Sequence, residues 1–126
     1  EEYRPVTYHG YVSNKEKRRL LSESLIFILP THSEAGPPIA IVEAMGGGNM
    51  IITTRTSGIP ELITDRENGV VEEVGDVEAI KSSLRELLNK PESITELAQR
   101  NRMIVEERLN WKQSSQQIQE IYQKLC

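Results

Sequence analysis

Two short, unbroken apolar runs constrain the fold more than any other feature of the sequence. LIFIL (25–29) is stopped by Pro30, and MIITT (50–54) follows a triple glycine. Five residues is the length of a strand, and unbroken apolarity is typical of a strand covered on both faces. The sequence therefore predicts two buried strands in this half of the chain.

Helical signals lie beside these runs. Ser13 and Glu16 form an S-x-x-E capping box that predicts a helix carrying Leu20 and Leu21 inward. A second helix is predicted from about Pro38 to Gly46, between the two strands. Strands that alternate with helices indicate parallel strands joined by right-handed crossovers.

Weaker signals complete the predicted order. They are a short strand in VTYHG (6–10), a short helix over 59–63, a turn at Asn68-Gly69, an edge strand in VVEEV (70–74), and helices that begin at Asp76, Pro91 and Asn110. The fold class is α/β: a Rossmann-like open parallel sheet with helices on both faces. Ligands of such sheets bind beyond the carboxyl ends of the strands.

Composition excludes several classes of protein. A chain of 126 residues is one domain, and its net charge of −4 gives no support to nucleic-acid binding. The KEKRR run is interpreted as a solvated helix face. The single cysteine, Cys126, excludes a disulfide framework within the chain and fits a reducing compartment. No signal peptide or long apolar run is seen, and because the chain lacks an initiator Met we expect it to be a piece of a longer protein.

The junction between Pro30 and the second helix has the chemistry of an anion site. Pro37 or Pro38 suits the first helical turn, whose free amides carry about half a positive charge and attract phosphate. Gly36 allows a tight loop, and the small Ala40 and Ala44 are expected to permit close approach of a ligand or of another backbone.

Glu43 lies in IAIVEAM, where every neighbour is apolar. Because an unpartnered buried carboxylate is costly, the paired hydroxyls of a sugar ring are suitable partners for it. The alternative is that Glu43 faces solvent or bonds a backbone amide. A side chain turned away from the sheet's carboxyl edge, towards water or a cationic residue, removes the physical basis for the sugar interpretation.

Other candidates are weaker. Glu34 is either a hydrated loop residue or a group that stabilises positive charge at a sugar carbon. His9 and His32 do not form a metal site with any cysteine cluster. Gly46-Gly47-Gly48 lacks the pattern of a phosphate loop and indicates a helix end. Trp111 is predicted to pack in the core or against another domain, and Glu61 is a candidate anchor for its loop.

Four segments in order, HGYVSNKEKRRLLSESLIFILPTHSE, PIAIVEAM, ITTRTSGIPELITDRENG and VGDVEAI, resemble the C-terminal half of family 4 glycosyltransferases of the GT-B type. In that family two Rossmann-like domains face each other across a cleft. The C-terminal domain binds a nucleotide-activated sugar, and the anomeric configuration is retained on transfer.

The resemblance implies roles for individual residues. Glu43 matches the second carboxylate of the E-x7-E motif, which binds the ribose hydroxyls, and Glu34 matches the first, near the reacting centre. The sugar and phosphates are held by the loop of Gly36, Pro37, Pro38 and Ile39, and the base is read by the backbone of Tyr11 and Val12.

The sequence also departs from the family. Eight residues separate Glu34 from Glu43; either Ala35 is an insertion that bulges the loop, or the first carboxylate has been lost. GGGNM replaces the usual Ala-x-Gly-x-Pro step after EAM. The resemblance does not extend to the family's acceptor domain or to the opening of its donor domain, where the family has the Arg and Lys that neutralise the leaving group.

The resemblance therefore implies that residues 1–126 form the donor-binding part of a retaining hexosyltransferase, inactive alone. The donor is UDP- or GDP-linked, the acceptor is a glycan or a lipid-linked glycan, and no metal or cofactor is implied. The enzyme is expected in the cytoplasm, with peripheral association at the inner face of the membrane left open. The alternative is a non-catalytic module that binds a nucleotide or a protein partner.

Overall fold

The fold is a parallel sheet covered by helices on both faces, as the sequence predicts. A computed structural model describes residues 6–33 and 35–125. The sheet contains β1 (Ile26–Leu29), β2 (Met50–Thr54) and β3 (Val70–Glu72) in the order β1-β2-β3, with both pairs parallel. The helices are α1 (Asn14–Glu23), α2 (Ile39–Gly46), α3 (Val77–Leu88), α4 (Pro91–Arg108) and α5 (Trp111–Leu125).

Strand β2 is the centre of the core, and all five of its residues are buried. Its side chains alternate between two apolar clusters. Ile51 packs with Ile41 and Met45 of α2 on one face, whereas Met50 and Ile52 pack on the other face with residues of α3 and α4. The period of two that defines a strand thus places one helical layer on each side of the sheet.

Helix starts follow the predicted caps. The side chains of Ser13, Asp76 and Asn110 accept hydrogen bonds from the amides of Glu16, Ala79 and Gln113 at 3.2, 2.9 and 3.0 Å. Each cap satisfies an amide of the first turn that has no partner inside the helix. The predicted short helix over 59–63 is a single 3-10 turn, Ile59–Glu61.

Two expectations about packing are wrong, and the structure decides part of a third. The VTYHG segment is not a strand: Val6 and Tyr8 are more than 90% exposed, and no described strand pairs with them. Strand β1 is not covered on both faces, because it lies at one edge of the described sheet and Ile28 is 39% exposed. Trp111 is 91% exposed, which excludes the first option predicted for it, the core of the described chain; packing against another domain stays a prediction.

Candidate functional site

Two threonine hydroxyls of β2 donate hydrogen bonds to the backbone at the carboxyl end of β1. Thr53 Oγ1 donates to the carbonyl of Leu29 at 2.9 Å, and the Thr54 hydroxyl donates to the carbonyl of Thr31. Both threonines are buried. Because a buried hydroxyl needs a partner, these bonds fix the backbone where the chain leaves β1 and turns towards α2.

The predicted phosphate-binding loop lies at the amino end of α2, beyond this edge of the sheet. Pro38 is the residue before the helix, and it accepts from the amide of Ile41 at 3.1 Å. No side chain of the described residues caps the helix, so the amides of Ile39 and Ala40 remain available to a ligand. Ile39, the first helical residue, is 75% exposed, and Pro37 is exposed beside it.

Two details concern the small residues of this loop and helix. Gly36 does not adopt a left-handed φ, so the turn does not require glycine for conformational reasons. Ala44 is fully buried in the core and cannot face a ligand, whereas Ala40 is exposed. Of the two small helical residues, only Ala40 is placed where a ligand can approach.

Glu43 lies one turn further along α2, in a cleft of about 430 Å³ between α1 and α2. Its side chain is 37% exposed, so it is not buried among apolar neighbours. The apolar residues around it in sequence point elsewhere, because Ile41, Ala44 and Met45 occupy the opposite face of the helix, in the core. The cleft is lined by Asn14, Lys17, Arg18, Leu21, Glu43, Gly46 and Gly47.

The Glu43 carboxylate is paired with a cation. Lys17 Nζ lies 3.1 Å from Oε1 and 2.9 Å from Oε2. The sugar interpretation of the sequence assumed that the Glu43 carboxylate has no partner in the protein. That assumption is wrong, because Lys17 is a partner of opposite charge. Apolar neighbours in sequence are therefore no reason to assign a ligand to Glu43, and any such role must rest on other grounds.

The predicted base-reading segment lies just before α1. Tyr11 is fully exposed and Val12 is half-buried, and the helix that follows them contributes Asn14 to the cleft. Segment 11–12 and residues 36–39 therefore flank the amino ends of α1 and α2, the two helices that form the cleft. Glu34 lies outside the described residues.

The carboxyl edge also carries a cation that the sequence reasoning did not single out. Arg55 follows β2, and its Nε lies 2.8 Å from Glu73 Oε1, beyond the end of β3. The hydrogen bond and charge of Glu73 raise the pKa of the Arg55 guanidinium above its ordinary value. In the described part of the chain, no group of three or more His, Cys, Asp or Glu residues is placed to hold a metal ion.

Sequence reasoning missed the contacts between residues that lie far apart along the chain. Lys17 is 26 positions from Glu43 and belongs to a run interpreted only as a solvated face. Gly58, whose Cα faces Gly36, follows β2 in a segment for which the sequence predicted only a short helix and a loop anchor at Glu61. Asn68 anchors the loop instead of Glu61, accepting from the amide of Thr64 at 2.7 Å and donating to the carbonyl of Leu62 at 2.9 Å.

Comparisons with known proteins agree with this architecture. The family model described as "Glycosyl transferases group 1" matches residues 4–108. The amylovoran biosynthesis glycosyltransferase AmsK of Erwinia amylovora is 31% identical over 122 residues, which are 93% of this chain and 30% of that protein. The chain thus spans less than a third of the length of this relative.

Solved structures show the same fold. Sucrose-phosphate synthase from Thermosynechococcus elongatus superimposes with a TM-score of 0.86 and 21% identity, covering 94% of this chain and 30% of that one. A TarM variant from S. aureus, in complex with fondaparinux, alpha-GlcNAc-glycerol and UDP, gives a TM-score of 0.67 and 18% identity, covering 75% and 19%. With the family model matching most of its residues, this chain belongs to the group 1 family of glycosyltransferases.

Proposed function

We propose that residues 1–126 form the donor-binding part of a retaining glycosyltransferase. The enzyme transfers a hexosyl group from a UDP- or GDP-linked sugar to a glycan or a lipid-linked acceptor. The rest of a longer protein supplies the acceptor site and the cations that neutralise the leaving diphosphate. Without those groups the 126-residue chain binds donor but does not turn it over.

The observation that carries the proposal is the placement of two different binding groups on one helix. The uncapped amino end of α2 and Glu43 lie on the same short helix, and Glu43 lines an open cleft. Ile39 and Glu43 are four positions apart, which is a rise of about 6 Å along the helix axis. An anion-binding amide cluster and a hydroxyl-binding carboxylate at that separation suit the diphosphate and the ribose of one nucleotide.

Each part of the donor has a place in this arrangement. The amides of Ile39 and Ala40 donate to phosphate oxygens, where the helix dipole favours negative charge. The Glu43 carboxylate accepts from the ribose hydroxyls, and the backbone of Tyr11 and Val12 reads the base. Residues 36–38 border the sugar, and Glu34 is assigned to the reacting centre by the family resemblance alone.

The names of related proteins support the wider context. AmsK acts in amylovoran biosynthesis, and WcaL of Escherichia coli is named as a putative colanic acid biosynthesis glycosyltransferase. By extension from these relatives we propose a role in polysaccharide assembly in the cytoplasm. Within the described residues, no helix is both long enough and apolar enough to cross a bilayer.

Nucleotide titration of the 126-residue chain tests the proposal. We expect UDP or GDP to bind, and Glu43→Gln to weaken that binding by about tenfold or more, because hydrogen bonds to a charged acceptor are lost. Glu107→Gln is the matched control, since Glu107 is exposed on α4 and away from the cleft. No binding of either nucleotide, or equal effects of the two substitutions, rejects the assignment in favour of a module without donor affinity.

A further inference from the structure

The ion pair between Lys17 and Glu43 bridges two helices and involves both carboxylate oxygens. The ammonium group contacts both carboxylate oxygens, at 3.1 and 2.9 Å, across the cleft between two different helices. Both side chains line that cleft and are about 40% exposed, at 40% for Lys17 and 37% for Glu43. The pair therefore stands inside the space that the donor is proposed to occupy.

The carboxylate keeps acceptor capacity after pairing. An ionised carboxylate has two oxygens with about four lone-pair sites, and it can only accept hydrogen bonds. Lys17 takes one site on each oxygen, which leaves one site on each for a second pair of donors. Two adjacent hydroxyl groups, as on a ribose ring, supply a matching pair.

Pairing also restricts the side chain before a ligand arrives. A free glutamate on a helix surface samples several rotamers, and fixing it on binding costs conformational entropy. Lys17 extends from α1, an element held to the sheet by other contacts: Leu21 packs on the core cluster, and Asn49 Nδ2 donates to the carbonyls of Leu21 and Ser24. The position of Glu43 is thus set by a second helix rather than by α2 alone.

We infer that Lys17 is a positioning residue that holds the Glu43 carboxylate across the cleft, ready to accept the vicinal hydroxyls of the nucleoside. This inference rests on the proposed function. Lys17 acts through Glu43, and its contribution therefore depends on the presence of the diol. Arg18 lines the same cleft, but the two carboxylate contacts are made by Lys17.

The test compares UDP with 2′,3′-dideoxyuridine diphosphate, which keeps the base and the diphosphate but lacks the diol. Dissociation constants are measured for the wild-type chain and for Lys17→Met, Lys17→Arg and Lys15→Met. Lys15 is the matched control, because it is an exposed lysine of the same helix and is not among the residues lining the cleft. An unchanged amide NMR spectrum verifies that each variant is folded.

We expect Lys17→Met to weaken UDP binding by about two- to fivefold, the range of a solvent-exposed ion pair, and to leave dideoxy-UDP binding unchanged. Lys17→Arg restores part of the loss, and Lys15→Met resembles the wild type. An equal loss for both nucleotides means that Lys17 attracts the diphosphate instead, and tighter UDP binding means that it competes with the ribose; either result overturns the inference. If the wild-type chain binds both nucleotides equally, or binds neither, the result rejects the proposed binding of the ribose hydroxyls by Glu43, and with it the role inferred for Lys17.

Discussion

Gly58 lies directly against Gly36. A β-carbon built on Gly58 overlaps the carbonyl group of Gly36 and lies 2.7 Å from the nitrogen of Pro37. The φ of Gly58 is −87°, which any residue adopts, so space and not conformation requires glycine there. The segment after β2 therefore supports the loop that leads into α2, the helix on which the proposed donor site is built.

Replacing Gly58 is expected to disturb this support. Gly58→Ala forces two backbone segments apart, and overpacking of this kind destabilises a fold by about 1–3 kcal/mol. Urea unfolding followed by circular dichroism measures the loss. Gly36→Ala is the matched control: a β-carbon there meets nothing within 4 Å, and we expect a change within about 0.5 kcal/mol. Equal stability of the two variants contradicts the close approach.

Asn49 connects α1 to the start of β2. It is fully buried, and its Nδ2 donates to the carbonyls of Ser24 and Leu21 at 2.7 and 3.0 Å. Asn49→Ala leaves these carbonyls without that donor, and we expect a loss of about 2–3 kcal/mol in unfolding free energy. Asn89→Ala, at the exposed end of α3, serves as control and is expected to cost much less. A loss at position 49 no larger than at position 89 argues against the bridging role.

The ion pairs on α1 predict a pH effect. Arg19 donates to both oxygens of Glu16, at 3.1 and 2.6 Å, and this bond holds the pKa of the Glu16 carboxyl below its ordinary value. A lowered carboxyl pKa favours the folded state above the unfolded pKa, and the contribution is lost as the pH falls through the folded pKa. Carbon-13 NMR titration should find the Glu16 pKa rising towards the ordinary value in Arg19→Gln.

Arg102→Gln is the control for this titration, because Arg102 makes a similar pair with Glu106 on α4 at 3.1 Å. It should leave the Glu16 titration unchanged. A Glu16 carboxyl that titrates identically with and without Arg19 would show that the pair on α1 is not formed in solution.

Much of the fold was predictable because its signals are local. A cap such as Asp76 bonds an amide three residues away, and a buried strand such as β2 reveals itself by its own apolar residues. The prediction of a strand in VTYHG was wrong, because a strand forms only when it pairs with a neighbouring strand, and the residues of one segment do not show whether such a neighbour exists. Trp111 lies on the apolar stripe of α5 but outside the core, because the sequence of a helix shows that it has an apolar stripe and not what covers that stripe.

The site was predicted only in part, for the same reason. Proline and glycine signals placed the loop 36–38 at the amino end of α2, and the structure agrees. Lys17, which pairs with Glu43 across the cleft, lies 26 positions earlier in the sequence, and no local sequence pattern links the two residues. Of the two options left open for Glu43, the structure favours partial exposure, because helical periodicity turns its apolar neighbours towards the core and the carboxylate away from it.

The central claim is that a nucleoside diphosphate lies along α2, with its phosphates at the amino end and its ribose at Glu43. The most direct test is amide NMR mapping of the 126-residue chain titrated with UDP and with GDP. We predict that the largest shifts occur at Ile39, Ala40 and Glu43, and that they shrink in Glu43→Gln. Shifts confined to other surfaces, such as α5, or no saturable shifts with either nucleotide, would contradict it.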